Sequence, residues 1–522
     1  MSWRRWVLTG GAVAVAGIVV AAVFVLRVGS SEAPAAGQPS QAGVADASTL
    51  AARFLGAWSR GDFTTAGSLT DDPANASANL AAVRGSLGIN PDSRVLGVSG
   101  QSVGFRVSWP FEQGGVWTYD NTLTLVQPGK QALVHWALPV IHPKLTPGAR
   151  LERQGRTGDA VVDRDGKPLL AWQGSQAQPV DAGVAPLLLP ALGRVAGDHV
   201  TKGSAVVLVN GGAQEVLFGQ QGGTAPLTST LSGRTQATAQ EAVDGASYPA
   251  ILVAIQPSTG DILAVAQNAA AGSAPNALTG LYAPGSTFKI ATATAVLERG
   301  AATTDTVLPC PGTVQTGQRS IPNDDQFSFA PLPLHSAFAH SCNTTFAQLA
   351  AGLPPDALAD AAGQLGLNAD FDIPGVATEA GKVEDTATGS AEQVETSIGQ
   401  GKAQASPFGL ALMAATVARG SAVTPRLWHG LDTTVNSGYQ APPAAVITSL
   451  RSMMREVVTG GTATGLQGSG KVYGKTGTAQ FGDGSQANGW FTGYRDDLAF
   501  AVLLLGSNSS RPAVSVAAAF LR

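Results

Sequence analysis

The chain is poor in charge and in the residues that usually build metal and redox sites. Of its 522 positions only 13% are Asp, Glu, Lys or Arg, the net charge is −4, and no long basic run occurs. The electrostatic footprint of a nucleic-acid binder is therefore missing, and neither DNA nor RNA is expected as a partner. Cysteine is limited to Cys310 and Cys342, and there are six histidines. No cysteine precedes Cys310, which excludes attachment through an N-terminal lipidated cysteine. His335 and His340 lie near the cysteines, but the spacing fits no standard zinc pattern, and no His-Glu-x-x-His occurs. No metal and no cofactor are expected. Residues 465–470 and Lys471 look like a phosphate loop, except that Val472 stands where a metal-binding Ser or Thr is required.

What the chain has is length, with 44% hydrophobic residues, enough for several cores. Residues 6–26 are uncharged and mostly apolar, sufficient for one helix to cross a hydrocarbon core of roughly 30 Å. Arg4 and Arg5 precede this stretch and Arg27 follows, a bias that puts the N-terminus in the cytoplasm and the rest outside the cell. A cleaved signal peptide is the rival reading, given the small residues at 33–37, but the apolar run exceeds a typical signal core. Residues 1–28 are thus read as tip and transmembrane helix. Residues 29–46, mostly Ala, Gly, Ser, Pro and Gln, read as a flexible linker. Residues 47–145 show helical spacing over 48–67 and 80–87, then period-two segments from Val95 to Leu138, the pattern of a small helix-plus-antiparallel-sheet domain. A connector follows over 146–235, and a catalytic unit over 236–522. In an exported chain the two cysteines allow either a disulfide or two buried thiols.

The chemistry concentrates in three short motifs. Ser286-Thr287-Phe288-Lys289 follows Pro284-Gly285, which puts Ser286 at a helix start and Lys289 one turn along the same face. A buried amine there could take the hydroxyl proton as the serine attacks a carbonyl. Alone, the pair reads as an ordinary helix start with a snorkelling lysine. Ser341-Cys342-Asn343 alone reads as a helix cap, and Lys475-Thr476-Gly477-Thr478 alone as an exposed strand. Their co-occurrence in this order is what carries information.

With these motifs the chain resembles the class B penicillin-binding proteins, the D,D-transpeptidases of the serine penicillin-recognising superfamily. The surrounding wording agrees: Tyr282-Ala283-Pro284-Gly285, Ser397-Ile398-Gly399-Gln400-Gly401, Gly489-Trp490-Phe491 and Gly493-Tyr494. Trp136 and residues 141–145 resemble the end of the N-terminal domain of the methicillin-resistance-type enzymes. Arg156, Gly158 and residues 163–166 resemble the opening of the class B pedestal, although Thr157 interrupts its usual Arg-Gly step.

The resemblance implies a multidomain α+β protein. Its C-terminal transpeptidase fold would be a five-stranded antiparallel sheet covered by helices on both faces, preceded by the small helix-plus-sheet spacer and a mostly β pedestal. It implies a peptidoglycan substrate ending in D-Ala-D-Ala, an acyl-enzyme on Ser286, and acylation by β-lactams. Lys289 would be the base and Ser341 the acid to the leaving amine. Asn343, Lys475, Thr476, Gly477 and Thr478 would bind substrate, with Gly477 leaving room for an extended peptide. The backbone N–H groups of Ser286 and Thr478 would form the oxyanion hole. Stem peptides, the lipid-linked precursor and a membrane glycosyltransferase are the implied partners. The alternatives are a β-lactam hydrolase or D,D-carboxypeptidase, for which Glu392 and Glu395 are available acids, and a sensor or scaffold without turnover.

Overall fold

The computed structural model describes residues 41–522 apart from 112–114, 156–157, 174–175, 200–204, 220–224, 317–318 and 483. The predicted span at residues 6–26, most of the predicted linker, and Arg156 and Thr157 lie outside the described residues. Among the described residues no helix is long and apolar enough to cross a membrane.

The first helix, Gln41–Arg60, begins inside the segment that composition alone assigns to the linker. Its cause is a helical-period apolar stripe, Ala47, Ala51, Phe54, Leu55 and Trp58, all buried. The continuous helix expected over 48–67 is broken at Gly61, whose φ of 77° only glycine adopts cheaply. Phe63–Ser68 then restarts with Asp62 accepting from the Thr65 amide at 3.0 Å. A third helix, Pro73–Leu87, precedes a four-stranded antiparallel meander over Asp92–Ser99, Ser102–Phe111, Gly115–Val126 and Leu133–Val134. Period-two alternation turns Val103, Phe105, Val107, Trp109 and Phe111 inward, where they meet Phe54, Trp58 and Trp117 in one core.

Among its described residues the connector is mostly β, as expected, with the helix Ala185–His199 in addition. One sheet has the strand order 213–218, 205–210, 149–154, and another the order 227–228, 159–162, 168–173, 176–179. Val206 and Leu208 join the N-terminal core, so the connector braces that unit. On its other side Arg164 reaches Asp261 at 3.5 Å, a buried carboxylate that also pairs with Arg426 at 2.6 Å. A carboxylate buried to this degree needs both cations, which ties connector and C-terminal unit together.

The C-terminal unit is built on five strands: β1 (Ala250–Ile255), β2 (Ile262–Gln267), β3 (Val472–Phe481), β4 (Gln486–Arg495) and β5 (Leu498–Leu504). Their order is β2-β1-β5-β4-β3, every pair antiparallel, with β3 at the edge. The hairpin that opens the unit therefore pairs with the strand that nearly closes it. The helices that matter are α1 (Gly233–Asp244), α2 (Lys289–Glu298), α3 (Leu334–Ala339), α4 (Asn343–Ala350), α5 (Pro407–Arg419), α6 (Ala444–Thr459) and α7 (Arg511–Phe520). Helices α1 and α7 pack together against the sheet, and α5 packs against β1, β4 and β5. Helix α5 is apolar nearly all round and buried along almost its whole length, as a central core helix must be.

Candidate active site

The site forms where α2, the loop between α3 and α4, and the edge strand β3 meet. Ser286 lies in a 3₁₀ turn, Gly285–Phe288, that runs directly into α2. The turn is seated by two close backbone approaches. Gly285 (φ 53°) has Thr478 O only 2.6 Å from where a Cβ would stand, so the turn bearing Ser286 lies against β3 at Thr478. On the other side of the turn, the Gly285 amide donates to Gly399 O at 2.9 Å.

Lys289 Nζ lies 2.6 Å from Ser286 Oγ and 2.5 Å from Asn343 Oδ1. It also lies 3.4 Å from Ser341 Oγ and 3.3 Å from Ser341 O. The residue is fully buried. Burial, and then the neighbouring charge of Lys475, hold its amine well below the ordinary lysine range, with Asp324 opposing. A neutral amine in contact with a hydroxyl is a base poised to take its proton. Asn343 is fixed at both ends, Oδ1 on Lys289 and Nδ2 donating to Pro322 O at 3.0 Å.

Ser341 leaves α3 with a φ of 62°, a left-handed conformation unfavourable to a residue with a side chain. The turn is tied to α3 by Ser341 N on Phe338 O at 3.0 Å and Cys342 N on Ala337 O at 2.8 Å. Cys342 is bonded to Cys310, so of the two states open to the cysteines this structure has the disulfide, anchored between Ser341 and Asn343.

Lys475 Nζ reaches Ser341 Oγ at 2.9 Å and Thr476 O at 3.1 Å. Burial pushes its amine down to about 7. The Ser341 hydroxyl thus bridges the two lysines. Pleat alternation places Lys475 and Gly477 on the face turned to the serine. Here the role expected of Gly477 changes. A Cβ on it would stand 2.8 Å from Pro284 O and 2.9 Å from Thr287 Cγ2. The space that glycine leaves is filled by the serine turn rather than left open for a peptide, although β3 remains the sheet edge. Thr476 is buried with its hydroxyl 2.5 Å from that of Thr462, whereas Thr478 is partly exposed.

Ser286, Lys289, Ser341, Asn343 and Lys475 are therefore joined by direct contacts, Gly477 and Thr478 lie against the serine turn, and the Thr476 hydroxyl is turned to Thr462. Sequence reasoning missed several of their neighbours. Asp324 is an exposed residue whose carboxylate field still reaches Lys289, and its own carboxyl is raised, by partial desolvation first and then by Asp325. Asn323 Oδ1 receives the Thr344 amide at 3.1 Å, linking that loop to α4. Among the described residues no group of His, Cys, Asp and Glu could hold a metal ion.

A serine in contact with a buried lysine beside the edge of such a sheet is the arrangement of the serine penicillin-recognising folds. Residues 250–522, just over half of the chain, match the family described as penicillin binding protein transpeptidase domain, and the chain belongs to that family. Residues 46–149 match the family described as NTF2-like N-terminal transpeptidase domain. Among curated relatives, peptidoglycan D,D-transpeptidase PbpA of Mycobacterium tuberculosis is 29% identical over 310 residues, 49% of this chain and 60% of that protein. Penicillin-binding protein 1A of the same organism is 28% identical over 314 residues, 56% of this chain and 37% of that protein. The chain thus spans about 60% of the length of the first relative. Penicillin-binding protein A from M. tuberculosis, solved as a ceftriaxone acyl-enzyme, superposes with a TM-score of 0.56 at 22% identity, over 70% of this chain and 99% of that one. Pseudomonas aeruginosa PBP2 gives 0.57 at 22%, over 70% and 96%. At such identities these structures establish the fold.

Proposed function

We propose that the chain is a monofunctional peptidoglycan D,D-transpeptidase that crosslinks stem peptides and is acylated by β-lactams. The observation that carries this reading is the 2.6 Å contact between Ser286 Oγ and a buried amine, Lys289, held below its ordinary pKa. In the proposed cycle Lys289 removes the Ser286 proton as Oγ attacks the carbonyl between the two D-alanines. Ser341, in contact with both lysines, passes a proton to the departing D-alanine. Lys475 captures the terminal carboxylate, with Thr476 and Thr478 beside it on β3. The backbone N–H groups of Ser286 and Thr478 would receive the oxyanion, at about 3 kcal/mol per donor. An amine from a second stem then releases the acyl group.

Residues 6–26 would anchor the chain in the cell membrane with the site outside, and residues 47–145 would act as a spacer above it. Stem peptides on a lipid-linked precursor, with a separate membrane glycosyltransferase, complete the proposed setting, because no glycosyltransferase domain is recognisable between anchor and pedestal. Against a hydrolase, Glu395 is paired with Arg319 at 2.6 Å and Glu392 with Lys402 at 2.9 Å, rather than with Ser286, Lys289 or Ser341. Intact Ser286, Lys289 and Lys475 argue against a scaffold without turnover. The test is a D-Ala-D-Ala-terminated stem peptide supplied with an excess of a D-amino acid as acceptor. Amide product that increases with acceptor supports a transpeptidase, and release of the trimmed acid alone would overturn it.

A further inference from the structure

Behind the motif residues one polar cluster joins two of the three motif segments. We infer that Glu456 and Thr462 are positioning residues for acylation, holding Ser341 and Thr476 in register with Ser286. The inference rests on the function proposed above.

Glu456 lies in the last turn of α6, where the helix dipole disfavours a carboxylate. What compensates is α3. Ser336 Oγ donates to Glu456 Oε1 at 2.8 Å, and His335 Nδ1 lies 2.6 Å from Oε2. The far nitrogen of His335 is 4.0 Å from the Asp305 carboxylate, so the imidazole stands between two acids. Helix α3 is the six-residue element that delivers Ser341. A tie at its first turn sets where its last turn ends.

The chain leaving α6 makes the second tie. Glu456 O accepts the Gly460 and Gly461 amides at 2.9 and 3.0 Å. A Cβ on Gly461 would overlap Ala339 O, so the two segments touch backbone to backbone. Thr462 N then donates to Ala339 O at 3.1 Å, while its hydroxyl lies 2.5 Å from that of Thr476. One turn of chain after Glu456 thus touches the end of the Ser341 helix and the Lys-Thr-Gly strand together. Ser341 adopts a left-handed backbone that only its surroundings can maintain, so slack here would move the hydroxyl between the lysines.

The experiment uses the full chain as wild type, Glu456→Ala, Glu456→Gln and Thr462→Val, with a penicillin as probe. It separates the limiting acylation rate constant from the pre-covalent binding constant and records Tm. Glu456→Ala should lower the rate constant by about tenfold with binding changed by less than about twofold, and Thr462→Val should lower it by about tenfold together with weaker binding, because Thr476 also serves the carboxylate. Glu456→Gln should recover to within about threefold of wild type, because its amide can accept from Ser336 and donate to His335. Thr462→Val conserves shape and should leave Tm near wild type, so loss of rate there is not loss of fold. Wild-type rate constants in Thr462→Val, or a Gln variant as slow as the Ala variant, would overturn the inference while leaving the proposed function standing. Failure of the wild type itself to be acylated would overturn that function and this inference with it.

Discussion

Gly399 and Gly285 meet backbone to backbone: the Gly285 amide donates to Gly399 O at 2.9 Å, and a Cβ on Gly399 would overlap Gly285 O. Gly399 also has a φ of 74°, so a side chain there is disfavoured twice. Gly399→Ala should displace the serine turn and lower penicillin acylation by about 10²-fold. Stopped-flow acylation measures this, and an unchanged rate would show that the turn is held elsewhere.

The two lysines should give opposite pH dependences. Ser286 needs Lys289 neutral, so the acylation rate constant falls as pH drops through the lowered pKa of that amine. Lys289→Arg, which cannot deprotonate, should abolish acylation at every pH tested. Carboxylate capture needs Lys475 charged, so binding weakens as pH rises past about 7. A kcat/KM profile on a peptide substrate that rises monotonically to pH 10 would contradict this assignment.

Lys475 should also cost stability. Its folded pKa of about 7 lies below the unfolded 10.5. The penalty is therefore fully present below about pH 7 and fades as pH rises toward the unfolded value. Lys475→Met should raise Tm more at pH 6 than at pH 10, by differential scanning calorimetry. Lys475→Ala should impair acylation chiefly through the binding constant, and a loss confined to the rate constant would count against carboxylate recognition.

Cys310 and Cys342 are separated by 32 positions, so opening their bond releases a loop worth on the order of 3 to 4 kcal/mol of denatured-state entropy. Because Cys342 sits between Ser341 and Asn343, Cys310→Ser/Cys342→Ser should lower both Tm and the acylation rate. A fall in Tm with full acylation would mean that α3 and Asn323 suffice to hold the loop.

The residues that carry charge or a nucleophile were legible in the sequence because their types and order are constrained by chemistry. Ser286, Lys289, Ser341, Asn343 and Lys475 were singled out by the order of three motifs and the family resemblance it carries, and they lie in one contact cluster. The five-stranded sheet was expected from the resemblance; β1, β2 and β5 carry the dense apolar content of buried strands, whereas β3 and β4 are rich in Gly, Thr and polar residues. What stayed hidden depends on tertiary contact. Nothing local marks Glu456 as the partner of Ser336, 120 positions away, or Thr462 as the neighbour of Thr476. Gly477 was read as open space because sequence does not reveal which backbone fills a missing side chain. The helix over 41–46 was hidden by its small polar composition, since the apolar stripe that stabilises it begins only at Ala47.

Ser286 should be acylated and keep its acyl group long enough for an amine to take it. Intact-mass spectrometry of the wild type and Ser286→Ala after exposure to penicillin G, followed by peptide mapping, tests it most directly. One added penicillin is expected on the peptide bearing Ser286, persisting for minutes, and none on the variant, whose Tm stays near wild type. An adduct that survives in Ser286→Ala, or one lost within seconds as hydrolysed drug while free enzyme returns, would contradict it.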